Sequence, residues 1–325
     1  MRSLVCEAPL RMKLVERPDP VAGPGEALIR IQRVGVCGTD LHAFQGNQPF
    51  LEYPRVLGHE LSGVVSELPD SNSGLSTGDA VVVLPYLECG ECVACRAGKP
   101  NCCVSIKVLG VHCDGGMQDL LAVPATHLLP ATGLDADQAA LVECLSIGAH
   151  AVRRAAVCES DSVLVIGAGP IGLGVVYFAK NAGARVVVSD RDDSRLRFVE
   201  DSIPGVETAK VDGAAFDVVF DVTGNRHSMS GAVELLVHGG RLVFVGLVKG
   251  EFSIDHPAFH KREATLLSSR NATREDFVTV MDAMRSSVID TASLISQRVQ
   301  LEDVVDGMER WSQPGSGLIK TIVCV

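Results

Sequence analysis

Aromatic residues are scarce in this chain of 325 residues, at 4%, and there is one tryptophan. Positive charge is also in deficit, since the formal net charge is −11. A nucleic acid or an anionic membrane surface would need a basic face on its partner, so the sequence predicts neither and favours a small-molecule partner. No apolar run reaches the roughly 18 residues that a membrane-spanning helix needs.

The first residues also lack the pattern of a secretory signal, because Glu7 and Pro9 interrupt the apolar stretch too early. We therefore expect a cytoplasmic protein. In that compartment, its eleven cysteines are expected to be thiols or metal ligands rather than disulfides. The length allows two domains, each with a sizeable core.

Two kinds of hydrophobic pattern are present. Residues 1 to about 130 carry short strand-like runs between turns rich in glycine and proline, which predicts a compact, partly open barrel. The clearest of these runs are 27–31, 61–65 and 80–84. A helical period over 137–154 ends this part of the chain.

From residue 162 onward, apolar strands alternate with helices, which predicts a doubly wound parallel sheet. The predicted strands are 162–166, 185–189, 217–221, 241–247 and 264–269, with a closing helix at 274–285. The tail, with a helix near 301–311 and a strand at 319–325, resembles the first part again. We therefore predict a catalytic, zinc-binding domain of residues 1–148 and 287–325, interrupted by a dinucleotide-binding domain of residues 149–286.

Cys37, His59 and a carboxylate provide a mixed set of sulfur, nitrogen and oxygen ligands. Such a set predicts a catalytic zinc with one open position, whereas a structural zinc usually has four closed, sulfur-rich ligands.

A second, sulfur-rich set has the spacing C-x2-C-x2-C-x7-C and consists of Cys89, Cys92, Cys95 and Cys103. Four thiolates on a turning loop can occupy the corners of a tetrahedron, so we predict a structural zinc here and two zinc ions per chain. Cys102 is an alternative fourth ligand, and we choose Cys103 because an extra thiol beside a ligand is more often a bystander.

A glycine-rich turn follows the first strand of the second part. Its G-x-G-x-x-G motif lies between an apolar strand and a helix, which predicts binding of a dinucleotide pyrophosphate at the helix N-terminus. The motif residues are Gly167, Gly169, Pro170, Ile171 and Gly172.

Asp190 ends the next strand and can accept hydrogen bonds from the adenosine ribose, which favours NAD and repels the 2′-phosphate of NADP. Arg191 beside it could instead meet that phosphate, so NADP is the less favoured alternative. Only about thirty residues link Asp190 to Asp221, where this fold usually has a strand and two helices, and we expect a truncated helix on the adenine side.

With these residues in hand, the chain resembles the zinc-dependent medium-chain alcohol and polyol dehydrogenases over nearly its whole length. The stretches that carry the resemblance are 36–42, 57–60, the four cysteines, 142–143 and 163–174. Stretches 37–44 and 269–273 resemble the sorbitol-dehydrogenase-like side of the family, especially bacterial sugar and sugar-acid dehydrogenases of the L-galactonate 5-dehydrogenase type. The resemblance implies an α/β fold with a GroES-like, partly open β-barrel catalytic domain and a Rossmann domain with a doubly wound parallel sheet.

The resemblance also implies roles for individual residues. Glu60 is the adjacent carboxylate of the catalytic zinc, bound directly or exchanging with water, and Glu143 is the fourth ligand, with Cys144 as a rival. A carboxylate at Glu143 is a hard, movable ligand that suits a chelating diol. Thr39 takes the alcohol proton and His42 passes it to solvent, whereas the other histidines are expected to be surface or packing residues. The remaining cofactor contacts implied are Thr223, Val245, Gly246, Leu247, Arg270 and, at a phosphate, Lys320.

The sequence therefore predicts a zinc-dependent enzyme that transfers a hydride between a secondary alcohol of a polyol, sugar or sugar acid and NAD. A dehydrogenase of simple alcohols or aldehydes is the alternative, which Glu143 and the scarcity of aromatic residues disfavour. A non-catalytic nucleotide-binding protein is a remote alternative, because the expected catalytic residues are all present. The resemblance further suggests a homodimer or homotetramer joined near residues 264–269.

Overall fold

The structure is a computed structural model that describes residues 1–69, 74–211, 213, 215–313 and 317–325. Its strands are, in chain order, β1 (Arg2–Ala8), β2 (Arg11–Glu16), β3 (Glu26–Gly35), β4 (Arg55–Val56), β5 (Glu60–Glu67), β6 (Ala80–Val83), β7 (Tyr86–Leu87), β8 (Lys107–Val108), β9 (Leu120–Pro124), β10 (Leu128–Pro130), β11 (Ser162–Ile166), β12 (Arg185–Ser189), β13 (Glu207–Thr208), β14 (Phe216–Asp221), β15 (Leu236–Phe244), β16 (Thr265–Ser268), β17 (Ile295–Gln300) and β18 (Lys320–Cys324).

The α-helices are α1 (Gly38–Phe44), α2 (Val93–Arg96), α3 (Ala136–Ala155), α4 (Pro170–Asn181), α5 (Asp193–Ser202), α6 (Arg226–Gly231), α7 (His256–Lys261), α8 (Arg274–Arg285), α9 (Thr291–Leu294) and α10 (Val304–Trp311). Short 3-10 helices cover Pro100–Cys102, Ala125–His127, Ala232–Leu235 and Leu301–Asp303. Within the described part of the chain, no helix is long and apolar enough to span a membrane.

The chain forms two compact units. The first contains Met1–Glu143, Thr273–Ser287 and Thr291–Val325, and the second contains Cys144–Ala272 and Val288–Asp290. This division differs from the predicted boundaries mainly at α8, which the sequence pattern had assigned to the nucleotide domain.

Contacts of α8 with the first unit explain the difference. The Arg285 guanidinium donates to the Thr132 carbonyl oxygen at 2.8 Å, and Phe277 is fully buried with its ring edge-on to Tyr86. The first boundary, between Glu143 and Cys144, lies inside α3, and the second half of this helix belongs to the second unit. There a Cβ added to Gly148 would lie 2.4 Å from the α4 backbone at Gly174, so only glycine permits this close approach.

The main sheet of the first unit has seven strands in the order β10-β6-β5-β3-β18-β17, with β9 also paired to β3. Strand β3 is central, because it pairs antiparallel with β5, β9 and β18. Smaller sheets join β2-β1-β4 and β7-β8. The core of this unit includes Ile29 and Ile31, which are alternate residues of β3, and Val34, which follows a register shift in the same strand. The predicted strand runs 27–31, 61–65 and 80–84 lie largely within β3, β5 and β6.

The second unit contains a six-stranded parallel sheet in the order β13-β12-β11-β14-β15-β16. The central residues of β11, Val163, Leu164 and Val165, are fully buried, as expected for a strand inside a parallel sheet. The predicted combination of a partly open barrel-type domain with a doubly wound parallel sheet is confirmed. Between β13 and β14, the described residues 209–211, 213 and 215 form no helix, so this connection is shorter than the fold usually has.

Candidate functional site

The segment before α1 and the segment before β5 are joined by one buried carboxylate. Asp40 accepts a hydrogen bond from the Cys37 amide at 2.9 Å with one oxygen and from the Gly58 amide at 3.1 Å with the other. The same carboxylate lies 3.8 Å from Nδ1 of His59. Asp40 therefore joins the backbone at Cys37 to the backbone at Gly58 and lies beside the imidazole of His59.

Glu60 is completely buried at the start of β5 and is held by Lys320 at the start of β18. The Lys320 ammonium donates to both carboxylate oxygens, at 2.6 and 2.7 Å, and to the Val36 carbonyl oxygen at 3.1 Å. Strand β3 lies between the two strands and provides the space. A Cβ at Gly35 would lie 2.0 Å from Oε2 of Glu60, so glycine is required there.

Cys37, His59 and Glu60 form a group whose ligand atoms all lie within 4.8 Å of one another. Their donor set fits zinc, because thiolate, imidazole and carboxylate are all zinc ligands and a catalytic site has three protein ligands and one open position. Nδ1 of His59 is buried, with no hydrogen-bond partner in the described part of the chain. It faces Asp40 instead, as the second ring nitrogen of a zinc-bound histidine commonly faces a carboxylate.

Glu143, which the resemblance implied as a fourth ligand, is not among the three residues of this group, and its role as a ligand stays a prediction. Its Oε1 accepts a hydrogen bond from the Tyr86 hydroxyl, and both residues are 4% exposed. Burial raises the pKa of Glu143 to about 7, against the lowering effect of the nearby His59. Burial and the adjacent Glu143 also hold the pKa of Tyr86 well above its usual range.

The two residues predicted to carry the proton lie on α1, directly after Cys37. Thr39 is half-buried in the first turn, and His42 is exposed in the last turn. Their order along α1 runs from the ligand group toward solvent.

Cys144, the alternative to Glu143 as a zinc ligand, is buried as the first residue of the second unit.

The four cysteines of the second motif also come together. Sγ of Cys89 lies 3.5 Å from Sγ of Cys103, and Sγ of Cys92 lies 3.5 Å from Sγ of Cys95. All four sulfur atoms lie within 4.8 Å of one another. Cys102 is exposed and outside the group, which agrees with the choice of Cys103.

In the second unit, the glycine-rich turn connects β11 to α4. Gly167 has a φ of 106°, in the left-handed region that favours glycine. A Cβ on Gly172 would lie 1.8 Å from the Gly167 carbonyl oxygen, so the third glycine lets the helix pack on the turn. Gly169, Pro170 and Ile171 lie at the first turn of α4, whose unpaired amides can bind a phosphate.

Asp190 lies beside this turn, at the end of β12. Its carboxylate accepts hydrogen bonds from the Ala168 amide at 2.7 Å and the Asp192 amide at 2.9 Å. Nη1 of Arg195 on α5 is 3.6 Å from the same carboxylate. Arg191 is exposed.

The loops after β14 and β15 lie against each other. Gly246 and Gly224 approach so closely that a Cβ on Gly246 would lie 2.2 Å from the Gly224 nitrogen. The Val245 amide bonds the Asp221 carbonyl oxygen, and the buried Asp221 carboxylate accepts both the amide and the hydroxyl of Thr223. Three of the predicted cofactor residues, Thr223, Val245 and Gly246, therefore lie at the carboxyl edge of the sheet, where dinucleotides bind in this fold. Leu247 and Arg270 are exposed.

Lys320 requires a correction. It was predicted to meet a cofactor phosphate, but its side chain is 2% exposed and its ammonium is paired with Glu60. A buried ammonium needs a counter-charge, and Glu60 supplies it.

The sequence reading assigned no role to Asp40, Tyr86 or Arg195. Asp40 could have been identified from the sequence, because an acid three residues after Cys37 can form a capping box at a helix start. The sequence indicates Arg195 more weakly, as a basic residue in the helix after Asp190. Nothing in the sequence indicates Tyr86, since only the folded chain brings it to Glu143.

Comparison with protein families gives two matches. The alcohol dehydrogenase GroES-like domain matches residues 23–133, and the zinc-binding dehydrogenase domain matches residues 170–286.

Individual proteins are similar over the whole chain. L-galactonate-5-dehydrogenase of Escherichia coli strain K12 is 44% identical, over 99% of this chain and 98% of the relative. A crystal structure of the rspB alcohol dehydrogenase of E. coli CFT073, complexed with NADH, has a TM-score of 0.93 at 28% identity, covering 100% of this chain and 99% of that one. L-idonate 5-dehydrogenase of E. coli K-12 has a TM-score of 0.90 at 25% identity, covering 100% and 98%.

Proposed function

The chain belongs to the zinc-type medium-chain alcohol dehydrogenase family, and on that premise we propose that it transfers a hydride between a secondary alcohol of a polyol, sugar or sugar acid and NAD. The observation that carries the proposal is the group of Cys37, His59 and Glu60, which offers three ligand atoms of the kinds that catalytic zinc prefers.

In this proposal, Cys37 binds the catalytic zinc as a thiolate and His59 as a neutral imidazole, with Glu60 as the carboxylate of the group. Asp40 orients His59, and Lys320 balances the charge of Glu60. When bound, zinc supplies a Lewis acid that lowers the pKa of an alcohol, and NAD supplies the hydride acceptor.

The chain's own residues handle the proton that the alcohol hydroxyl loses. The Thr39 hydroxyl accepts it first, and His42, exposed at the end of α1, releases it to solvent. Oxidation of the alcohol carbon then balances, since the hydride goes to NAD and the proton goes to water.

The residues proposed to bind NAD are those of the second unit. The turn of Gly167 to Gly172 receives the pyrophosphate, and Asp190 accepts hydrogen bonds from the adenosine ribose. Arg195 adds a positive charge beside Asp190. The NADH named for the rspB structure supports NAD as the cofactor.

The substrate class is supported by the names of similar proteins, which include L-galactonate-5-dehydrogenase and L-idonate 5-dehydrogenase. Glu143 supports it as well. The resemblance places Glu143 at the catalytic zinc, and a carboxylate there can accept a hydrogen bond from a second substrate hydroxyl, which a simple alcohol does not have.

We further propose that the four-cysteine lobe holds a structural zinc, giving two zinc ions per chain. The eleven cysteines of the chain are thiols in the described structure, which supports a cytoplasmic location. Strand β16 is last in its sheet, and Leu266 on it is 42% exposed, which supports pairing with β16 of a second copy. Light scattering that gives the mass of a monomer would contradict this assembly.

The test is NADH formation with NAD and a panel of polyols, aldoses, aldonates and simple alcohols, before and after removal of metal with a chelator. Turnover of a polyhydroxy substrate that the chelator abolishes supports the proposal. Turnover confined to simple alcohols would favour the alternative substrate class. If protein that contains zinc and binds NADH turns over none of these compounds, the proposal that it oxidises this class of substrates is contradicted.

A further inference from the structure

Helix α7 of the second unit carries two exposed histidines about one turn apart. His256 and His260 are four positions apart, and side chains at that spacing are neighbours on one side of a helix. Their ring centroids are 6.0 Å apart, with an interplanar angle of 47°. Ala258 and Phe259 of the same helix pack against the hydrophobic core of this unit. The core therefore anchors α7 and leaves the two imidazoles in solvent.

Hydrogen bonds hold both ends of this short helix. The carboxylate of Asp255, at the N-cap, accepts from the Ala258 amide at 3.2 Å. At the other end, the guanidinium of Arg262 donates to the Glu234 carboxylate at 2.8 Å. The helix thus presents its two histidines at a fixed spacing. Asp255 also adds a negative charge beside the first histidine, and Glu234 balances the charge of Arg262, so the local charges allow a cation to bind.

The two rings are available to a ligand. Within the described part of the chain, no hydrogen bond or ion pair engages a ring nitrogen of His256 or His260. Imidazole nitrogen is a preferred ligand of copper, nickel and zinc. Two histidines four positions apart on one helix can bind the same ion, as they do in the H-E-x-x-H motif of zinc enzymes.

The observed spacing is compatible with one shared ion. A bond from zinc to an imidazole nitrogen is about 2.0–2.1 Å long, so two rings bound to one ion have their centroids within about 6 Å of each other. The centroids of His256 and His260 are already at this limit. Rotation about the side-chain bonds of two exposed residues is enough to turn a nitrogen of each ring toward a common point.

We propose that His256 and His260 form a two-histidine site for a divalent transition metal of the class of Cu2+, Ni2+ and Zn2+. Among the residues that the structure describes, no third histidine, cysteine or acid joins these two in a cluster, so water completes the coordination. With two protein ligands, this site holds its ion reversibly and more weakly than the four-cysteine cluster does.

The test titrates nickel(II) into the full-length protein and measures the heat of binding. The protein is first loaded with zinc and freed of excess metal, so that the two ligand groups of the first unit are filled. A pH of about 7.5 is used, because a metal binds the neutral imidazole. The wild type should bind one nickel ion per chain saturably. His256→Asn and His260→Asn should each weaken this binding at least about tenfold, because the loss of a ligand costs no less than the loss of a group behind one.

Two control variants separate a shared site from a general effect of histidine content. His238→Asn removes an exposed histidine of β15 in the same unit and should leave nickel binding unchanged. His260→Asn combined with Lys261→His keeps the number of histidines but places the second one five positions after the first. At 3.6 residues per turn, that position lies on a different side of the helix, so nickel binding should stay weak.

The assignment is overturned if zinc-loaded wild type binds no nickel, or if either single asparagine variant binds it as tightly as the wild type. Binding of wild-type strength in the variant with the shifted histidine would also overturn it, since the spacing would then not matter. A loss in His238→Asn equal to that in His256→Asn would show that the heat comes from scattered histidines.

Discussion

Lys320 and Glu60 form a buried ion pair between the first residues of two strands that lie on either side of β3, with Nζ 2.6 Å from the nearer carboxylate oxygen. The side chains are 2% and 0% exposed. The register explains the contact, because Gly35 of β3 faces Glu60 on one side and Ile322 on the other. One ion pair thus joins the carboxyl-terminal strand of the first unit to the candidate metal group.

Replacement of Lys320 by methionine should destabilise the first unit. The change leaves the carboxylate of Glu60 buried without its counter-charge, which typically costs about 3–5 kcal/mol. We expect a lower free energy of unfolding at pH 7 by urea denaturation, and partial recovery when Glu60→Gln removes the charge as well. Lys261→Met, at an exposed lysine of α7, is the control and should have little effect. Equal stability of Lys320→Met and the control would show that the pair has no net effect.

The cysteine lobe allows a comparison of neighbours. Cys103→Ser removes one of the four clustered sulfur atoms, so the lobe should lose its zinc and the protein should unfold at a lower temperature. Cys102→Ser changes an exposed thiol outside the cluster and should keep both the zinc content and the unfolding temperature. Metal analysis of the two purified variants decides which cysteine is the fourth ligand. Zinc loss in Cys102→Ser with retention in Cys103→Ser would reverse the assignment.

Asp190→Ser should change the choice of cofactor. Without the carboxylate, the ribose hydroxyls lose their acceptor and the 2′-phosphate of NADP is no longer repelled. We expect the KM for NAD to rise about tenfold, equivalent to about 1.4 kcal/mol, and the ratio of kcat/KM for NADP over NAD to increase. Asp193→Ser, at an exposed carboxylate in the first turn of α5, is the matched control. An unchanged ratio in Asp190→Ser would exclude Asp190 as the determinant.

The sequence was most informative where the structure depends on neighbours along the chain. The predicted strand 162–166 and helix 274–285 match β11 and α8 at both ends. The strand predicted at 241–247 instead begins at Leu236. Gly239, with a φ of 82°, and Gly240 look like a turn, but they form an irregularity inside β15 where its register with β14 shifts.

The same distinction holds for the candidate site. Cys37 and His59 could be found from motifs, because each lies in a short segment with a characteristic pattern. The partners Lys320 and Tyr86 could not, since Lys320 lies 260 positions from Glu60 and Tyr86 lies 57 positions from Glu143. Those contacts depend on sheet order and helix placement, which no local pattern determines.

Acid should weaken the first unit through Asp137 at the start of α3. Its carboxylate accepts hydrogen bonds from Nε of Arg33 at 2.7 Å and Nε of Arg298 at 2.6 Å. Although burial opposes ionisation, the two arginines lower the pKa of Asp137. A carboxyl whose pKa is lowered by folding adds stability above its unfolded pKa of about 3.9, and this stability is lost as the pH falls through the folded value.

Asp137→Asn should therefore reduce the free energy of unfolding by roughly 1–2 kcal/mol at pH 7, and the difference from the wild type should shrink below about pH 4. Urea denaturation at a series of pH values measures this dependence. Glu309→Gln, at an exposed carboxylate on α10, should show no such dependence. A difference for Asp137→Asn that persists undiminished at pH 3 would mean that the carboxylate's charge is not the cause.

His42→Gln should slow turnover mainly at low pH and leave the zinc content unchanged. His42 is exposed at the end of the helix that begins after Cys37, so it can carry a proton to solvent without holding the metal. At high pH, hydroxide can accept the proton in its place, whereas at low pH water is a poor acceptor. We expect kcat at about pH 6 to fall at least about tenfold and to approach the wild-type value as the pH rises. A pH profile of kcat with metal analysis tests both parts, and His227→Gln, on α6 of the second unit, is the control. Loss of zinc in His42→Gln would give this histidine a structural role, and an equal loss of rate at every pH would argue against proton transfer through it.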